Sequence, residues 1–463
     1  MTPPRSHSIR ARAPRAAMSG TAPKQHERSP LLAKDGTILP LDAPHSKRRN
    51  VHWFGLAFII LGEIAGQGTF TLPKQMSRLG WVLGTITCLG FVGLNALSLR
   101  VMHAMSTRVE GEGITRTGDV ATRLLGERGG KFARVVVQLY LFSIIAADIN
   151  VMGRAVMNFC FHTRVCMPVA SALAVAMTLP FAQLRAYGDI TFIASLSLLA
   201  LALCVLLLVF ADDAGAHIVK TSTSLSPSND VADVLTGIGG FFFAAGGGQC
   251  AFFEYLSEME TPADYLKTVS TTAPTLIALY YGTASYVYSK YGTGAPGFLL
   301  DILPFDGHRY AGNALFVFHL IVSFVILNAA LLRGFVTRDV TDKSWSARAE
   351  WATMSVVVLG AAYVLCNSVN LIENLVGAIG ALFQPVIVMC LPATYALVAM
   401  KGERGKRAES VRVALKCMIA LGALLVPLLT AGALRTTIAD AKDVAAPFSC
   451  GVCVTKACAA AAR

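Results

Sequence analysis

Long apolar runs fill this chain from about residue 53 to about residue 433, and short polar stretches separate them. A helix crosses the hydrocarbon core of a bilayer with roughly 20 mostly apolar residues. Eleven runs meet or approach that length: about 53–75, 81–104, 133–157, 167–184, 191–211, 234–257, 269–290, 313–333, 351–368, 371–399 and 412–433. The pattern predicts an all-α polytopic membrane protein with about 11 transmembrane helices. Trp53, Trp81 and Trp351 fall at run edges, where aromatic side chains anchor a span to the interface.

Two runs break their own pattern. The first contains Gly62-Glu63-Ile64-Ala65-Gly66-Gln67-Gly68-Thr69-Phe70-Thr71-Leu72-Pro73, with an acid, a Gly-x-Gly and a proline where a spanning helix should carry none of them. The sixth contains Gly246-Gly247-Gly248, a poor helix former. Five spans separate the two positions, and an odd number of spans reverses the second half in the membrane. Interrupted helices at matching positions of inverted halves mark a transport site near the midplane. The expected organisation is a 5+5 inverted repeat with helices 1 and 6 interrupted. Repeat one covers about 53–211, repeat two about 234–399, and an extra helix about 412–433. The transporter domain, 51–433, would follow a disordered basic tail at 1–50 and precede a tail at 434–463.

Composition agrees. The 463 residues are 54% hydrophobic and only 15% charged, with a mean hydropathy of +0.56. The net charge of +12 would suggest a nucleic-acid partner in a soluble protein. Here most of the 40 lysines and arginines fall in the N-terminal tail and beside the even-numbered inter-span loops. That bias predicts a cytoplasmic N-terminus and an extracellular or lumenal C-terminus, with basic loops facing anionic lipid and no nucleic acid required. Glu27-Arg28-Ser29-Pro30-Leu31-Leu32 fits an acidic dileucine sorting pattern, consistent with a plasma membrane or a vacuole- or lysosome-like membrane. The 11 cysteines do not read as a disulfide scaffold. Cys160 and Cys166 flank a short loop and can pair, while Cys450, Cys453 and Cys458 are expected as unpaired tail thiols.

The chemistry of paired helix breaks can be assigned. A free helix N-terminus offers unpaired N–H groups and a free C-terminus offers carbonyls. An amino acid zwitterion needs both. On this reading Gly66, Gln67, Gly68 and Thr69 present N–H groups to a carboxylate. The backbone of Ala244, Ala245 and Gly246 accepts from an ammonium, Phe243 lids the pocket, and Tyr140 in span 3 donates to the carboxylate. The rival reading is that Gly-x-Gly in a span serves close helix packing, its commoner use. Glu63 has three candidate roles: proton coupling, bonding the backbone of its own helix, or contact with a substrate amine. His319 in span 8 is a second proton-coupling candidate beside the packing role most buried histidines have. Asp148, at the far end of span 3, is expected near an interface. Glu254 and Glu373, at the inner end of span 6 and the outer start of span 10, are gate candidates.

The same residues resemble the amino acid/auxin permease family, within the amino acid–polyamine–organocation superfamily. Matching positions are Gly66-Gln67-Gly68, Leu72-Pro73 and Leu79-Gly80-Trp81 around spans 1 and 2, and Gly118-Asp119-Val120-Ala121 closing with Leu125-Gly126 before span 3. Phe253-Glu254, Glu258-Met259-Glu260 and Pro262 follow span 6, and Tyr291-Gly292 ends span 7. The chain departs from the family at Gln67, where a small residue is usual, and at Phe253, where a proline is common. The resemblance implies the fold of the bacterial leucine transporter and secondary active transport of amino acids, commonly driven by protons. No Walker loop, HExxH or local Ser–His–Asp signature appears, so the expectation is a protein that is not an enzyme and needs no cofactor or metal. The expected partners are an amino acid, a coupling proton or sodium ion, and the lipid bilayer. The alternatives are a sodium-coupled or exchanging amino acid transporter, or a transporter-like nutrient sensor with little flux.

Overall fold

The computed structural model describes residues 51–109, 117–185, 190–211, 215–336, 338, 342–369, 371–443 and 446–451. The N-terminal tail with its dileucine pattern, and Cys453 and Cys458, lie outside the described residues. The described chain is helical: α1 (Trp53–Val109), α2 (Thr117–Phe159), α3 (Met167–Thr178), α4 (Ile190–Phe210), α5 (Val231–Ala245), α6 (Phe252–Glu258), α7 (Tyr265–Tyr291), α8 (Gly307–Leu332), α9 (Trp345–Ser368), α10 (Ile372–Gln384), α11 (Leu391–Ala399) and α12 (Lys406–Asp443). A π-helical turn, Pro385–Cys390, joins α10 to α11.

The eleven runs map onto these elements. Helix α1 folds back at Gly80, whose φ of 68° ends one span and begins the next. A Cβ there would stand 2.3 Å from the Ser226 carbonyl oxygen, and the neighbouring Trp81 N–H donates to Ser224 at 3.0 Å. Helices α5 and α6 are the two halves of span 6, and α10 with α11 are those of span 10. Side-chain caps start several helices: Asp230 accepts from the Ala232 N–H, Asp306 from that of His308 and Ser344 from that of Ala347. Burial separates inner from peripheral helices: 72% of the apolar window of α8 is buried, against 22% for α12. Phe192 and Phe210 on α4 and Leu424 on α12 point outward, as lipid-facing residues must.

The structure corrects the sequence on span 1. The backbone stays helical from Trp53 to Leu79, straight through Gly66-Gln67-Gly68-Thr69. Hydroxyl groups bond several carbonyls of this stretch. Thr69 Oγ1 donates to the Ala65 carbonyl, Thr71 Oγ1 to that of Gln67 at 3.1 Å, and Tyr280 from α7 to that of Ile64 at 2.8 Å. These bonds add donors to the carbonyls around the glycines; Pro73 offers the Thr69 carbonyl no N–H, and the helix continues through it. The glycines serve packing instead. A Cβ on Gly66 would lie 2.6 Å from His319 Nε2, and one on Gly68 2.7 Å from the Ala244 Cβ. Among the described residues it is the helix of span 6 that opens into non-helical backbone, at Gly246–Gly248.

The cysteines differ too. Cys166, before α3, is bonded to Cys450 in the C-terminal segment, 284 residues away, and Cys160 is free. Arg164 donates to the Cys450 carbonyl at 2.9 Å and the Phe448 N–H to that of Asn367 at 2.9 Å, so the segment lies across the ends of α2, α3 and α9. Closing so long a loop is expected to stabilise by about 2–4 kcal/mol. Cys450→Ser should lower the unfolding temperature of purified protein as much as reductant lowers that of the wild type, while Cys160→Ser changes nothing. Equal melting of all three without reductant would refute the tie.

Candidate functional site

The interruption in span 6 centres the site. Helix α5 ends at Ala245, Gly246 is extended, and Gly247 and Gly248 take φ of 144° and 78°, values only glycine holds without strain. Among the described residues no hydrogen bond reaches the carbonyls of Phe243, Ala244 or Ala245. They are the free acceptors expected of a broken helix, at its partially negative end. The segment is held open by Gln249, which accepts from the Gly247 N–H at 3.3 Å and donates to Asn95 Oδ1 at 2.5 Å.

Gln384, the last residue of α10, faces this break. Its Nε2 donates to the Tyr140 hydroxyl at 2.6 Å. Its Oε1 is buried without a partner and packs on Gly246, where a Cβ would stand 2.1 Å away. The sequence reading missed Gln384. A signal was present: a glutamine directly before a proline, in mid-span, where the structure has a π-helical turn. Tyr140 is therefore in the site, its ring beside Phe383, and Phe243 is buried at the end of α5. A small cavity of about 10 Å³, room for about one water molecule, adjoins the break and is lined by Met102, Val137, Gln249, Cys250, Ile387, Leu391, Pro392 and Tyr395.

The expected carboxylate-binding N–H groups of Gly66, Gln67, Gly68 and Thr69 are not brought to this site, because span 1 is helical there and its amides stay in the helix. Gln67 acts through its side chain. Its Nε2 donates to Asp148 Oδ1 and to the Ile144 carbonyl at 3.3 Å. Asp148 is fully buried among the helices, and its Oδ2 has no partner. Burying an ionised carboxylate without a cation costs on the order of several kcal/mol. His319 is also fully buried. Its Nδ1 meets Ser197 Oγ at 2.8 Å, and its Nε2, unpartnered, abuts Gly66.

The two ends of the bundle differ. At the Gly80 end, Arg78 is buried. It donates to Gln75 Oε1 at 3.1 Å and to Asn374 Oδ1 at 2.8 Å, and it lies 3.7 Å from Asp233. Gln75 Nε2 donates to the Glu373 carbonyl at 2.9 Å, and Asn374 to Asp440 at 2.6 Å. Spans 1, 6, 10 and 11 are thereby locked together. Glu373, a gate candidate, joins the lock through its backbone, while its carboxylate rests against Gly297; the neighbouring Asn374 takes the central place. At the Val51 end, Tyr255 on α6 donates to Glu63. Val51 pairs with Met259, its N–H donating to the Glu258 carbonyl at 3.0 Å. Glu254 stands beside Tyr255 on α6, half-buried.

The described helices, several long and apolar enough to cross a membrane, thus form a bundle with the helix of span 6 interrupted at a buried polar centre and a side-chain lock at one end. The chain belongs to the transmembrane amino acid transporter protein family, whose profile matches residues 49–435. It is similar to the N amino acid transport system protein of Neurospora crassa, at 22% identity over 54% of each chain, so it spans about half the length of that curated relative. Among solved structures it resembles MhsT in complex with L-phenylalanine, with a TM-score of 0.54 at 14% identity over 83% of this chain and 100% of that one. It also resembles MHP1, a nucleobase-cation-symport-1 family transporter in a closed conformation with bromovinylhydantoin bound. There the TM-score is 0.50 at 15% identity, over 88% of this chain and 95% of that one. The fold is thus the 5+5 inverted repeat of those transporters, with α12 appended.

Proposed function

We propose that this protein is a secondary active transporter that carries amino acids by alternating access and is driven by protons. The observation that carries the reading is the interrupted span 6, whose free Phe243, Ala244 and Ala245 carbonyls stand with the unpartnered Gln384 Oε1 around Gly246. Four acceptors without donors suit a substrate ammonium. Tyr140 accepts from Gln384 and keeps its own proton to donate to the substrate carboxylate. Phe243, buried at the end of α5, adjoins these carbonyls along the chain.

The Gly80 end is read as the outside. The charge bias along the sequence supports this, and so does the Cys166–Cys450 disulfide, which suits an oxidising compartment. On that assignment the Arg78 lock is the closed outer gate, and Glu63, Tyr255 and Glu254 lie toward the cytoplasm. Uptake of radiolabelled amino acids into proteoliposomes tests the reading. An inward acid gradient is expected to accelerate uptake of at least one neutral amino acid. Uptake that follows a sodium gradient and ignores pH, or binding with no flux, would overturn it.

A further inference from the structure

We propose that Asp148 and Gln67 together form a proton-binding site, in which the bound proton closes a cyclic acid–amide pair between span 3 and span 1. The inference rests on the proton-driven reading above. It begins with two orphaned atoms. Gln67 Nε2 already donates to Asp148 Oδ1, yet Gln67 Oε1 and Asp148 Oδ2 are both buried without a partner. Gln67 donates twice through its nitrogen and Asp148 accepts once, yet one oxygen of each side chain lacks a partner. Both orphans are acceptors when the acid is ionised, so neither can satisfy the other. One proton on Asp148 Oδ2 supplies the missing donor, and the carboxylic acid and the carboxamide can then pair reciprocally.

The orientation of Gln67 is fixed by chemistry. Its nitrogen meets two acceptors, Asp148 Oδ1 and the Ile144 carbonyl, so the amide cannot be turned round. No other group neutralises the acid. Titratable or charged groups on the packed elements include Glu63, Lys74, Arg78, Cys88, Arg100 and His103 on α1, His308, Arg309, Tyr310 and His319 on α8, Arg348, Glu350, Tyr363 and Cys366 on α9, Glu373 on α10 and Tyr395 on α11. Glu254, Tyr255 and Glu258 lie on α6, and α3 carries none. Glu63 is engaged with Tyr255, His319 with Ser197 and Arg309 with Asn158. On α2 itself Arg154 is paired with Asp301 at 2.6 Å, and Tyr140 with Gln384. Among the described residues none of these forms an ion pair or hydrogen bond with Asp148.

The position gives the proton an effect. Gln67 stands between Gly66 and Gly68, the points where span 1 touches His319 on α8 and Ala244 at the break of span 6. Loading Asp148 adds a second bond between span 1 and span 3 to the one Gln67 Nε2 already makes, and unloading it leaves Gln67 Oε1 and Asp148 Oδ2 as buried acceptors without a donor. The proton enters from water on one side, resides on Oδ2 and leaves to water on the other. No other bond is made or broken.

Infrared difference spectra of the purified full-length protein, taken between acid and alkaline pH, test the site directly. The wild type is expected to show a carboxylic-acid C=O band that Asp148→Asn removes. Gln67→Leu should shift that band upward, because the acid loses its acceptor. The exchange Gln67→Glu with Asp148→Asn puts the acid on the other partner. It should restore both a band and a pH-gradient response in proteoliposomes that Asp148→Asn alone reduces about tenfold per pH unit of gradient. A spectrum unchanged by Asp148→Asn overturns the proposal whatever the flux. A band lost in Asp148→Asn, in a wild type whose uptake ignores pH, upholds the site and overturns the proton-driven function instead.

Discussion

Gly380→Ala is expected to stop transport by forcing the Gly80 half of the bundle apart. Helices α5 and α10 meet there backbone to backbone. A Cβ on Gly380 would lie 1.9 Å from the Gly239 carbonyl oxygen and 2.8 Å from the Phe243 nitrogen, and one on Gly239 2.5 Å from the Gly377 oxygen. Ordinary helix pairs keep their axes about 8–10 Å apart, and glycine faces allow closer approach. The obstructing atoms are main chain, so no side chain can swing aside; the helices must separate. Overpacking of this kind costs about 1–3 kcal/mol. The functional loss should exceed the stability loss, because α5 carries the free carbonyls at the break and α10 carries Gln384. On the side of α5 that faces α1, Gln75 rests on Gly240, so a displaced α5 takes the backing from the Arg78 lock. Initial uptake rates should fall at least about tenfold, with a lower unfolding temperature. Gly360→Ala is the control. Gly360 is a glycine within α9 that meets nothing within 4 Å, and the same methyl there should leave both measurements unchanged. Wild-type uptake by Gly380→Ala would show that the close seam is dispensable.

These contacts explain what the sequence could and could not reveal. The span boundaries were legible because apolar length is a local property, and the break in span 6 was legible because three successive glycines have no good helical reading. The Gly-x-Gly of span 1 had two readings, and the atoms that decide between them lie elsewhere: Tyr280 on α7, His319 on α8 and Ala244 on α5. Asp148 looked peripheral because its partner Gln67 is 81 positions away. Gln384 carried a visible signal, a polar residue before a proline, but its meaning came only from Tyr140 and Gly246 standing beside it. The Cys166–Cys450 bond joins segments that no spacing rule connects. What remained hidden was pairing between distant spans, and the site is built from such pairs.

Glu63→Gln is expected to abolish gradient-driven accumulation while leaving the protein folded. Tyr255 donates its hydroxyl to Glu63 Oε2, across the seam between span 1 and α6 at the Val51 end. Glutamine keeps an oxygen acceptor of the same reach, so Tyr255 stays paired and the seam stays closed. What is lost is the ability to take up and release a proton. An acid-outside gradient of one pH unit supplies about 1.4 kcal/mol per proton, enough for roughly tenfold accumulation when one proton accompanies one solute. The sign is fixed: accumulation should rise as the outside becomes more acidic in the wild type and stay near unity at every gradient in Glu63→Gln. Solute-for-solute exchange needs no net proton movement and should persist in the variant. Glu63→Ala separates coupling from structure, because it leaves the Tyr255 hydroxyl without its acceptor, at a cost of about 1–3 kcal/mol where the group is buried. If glutamine and alanine lower the unfolding temperature alike and both lose exchange, Glu63 acts as a brace between span 1 and α6. If glutamine retains exchange and melting but loses the pH response, Glu63 is a station for the driving proton at the Val51 end of span 1.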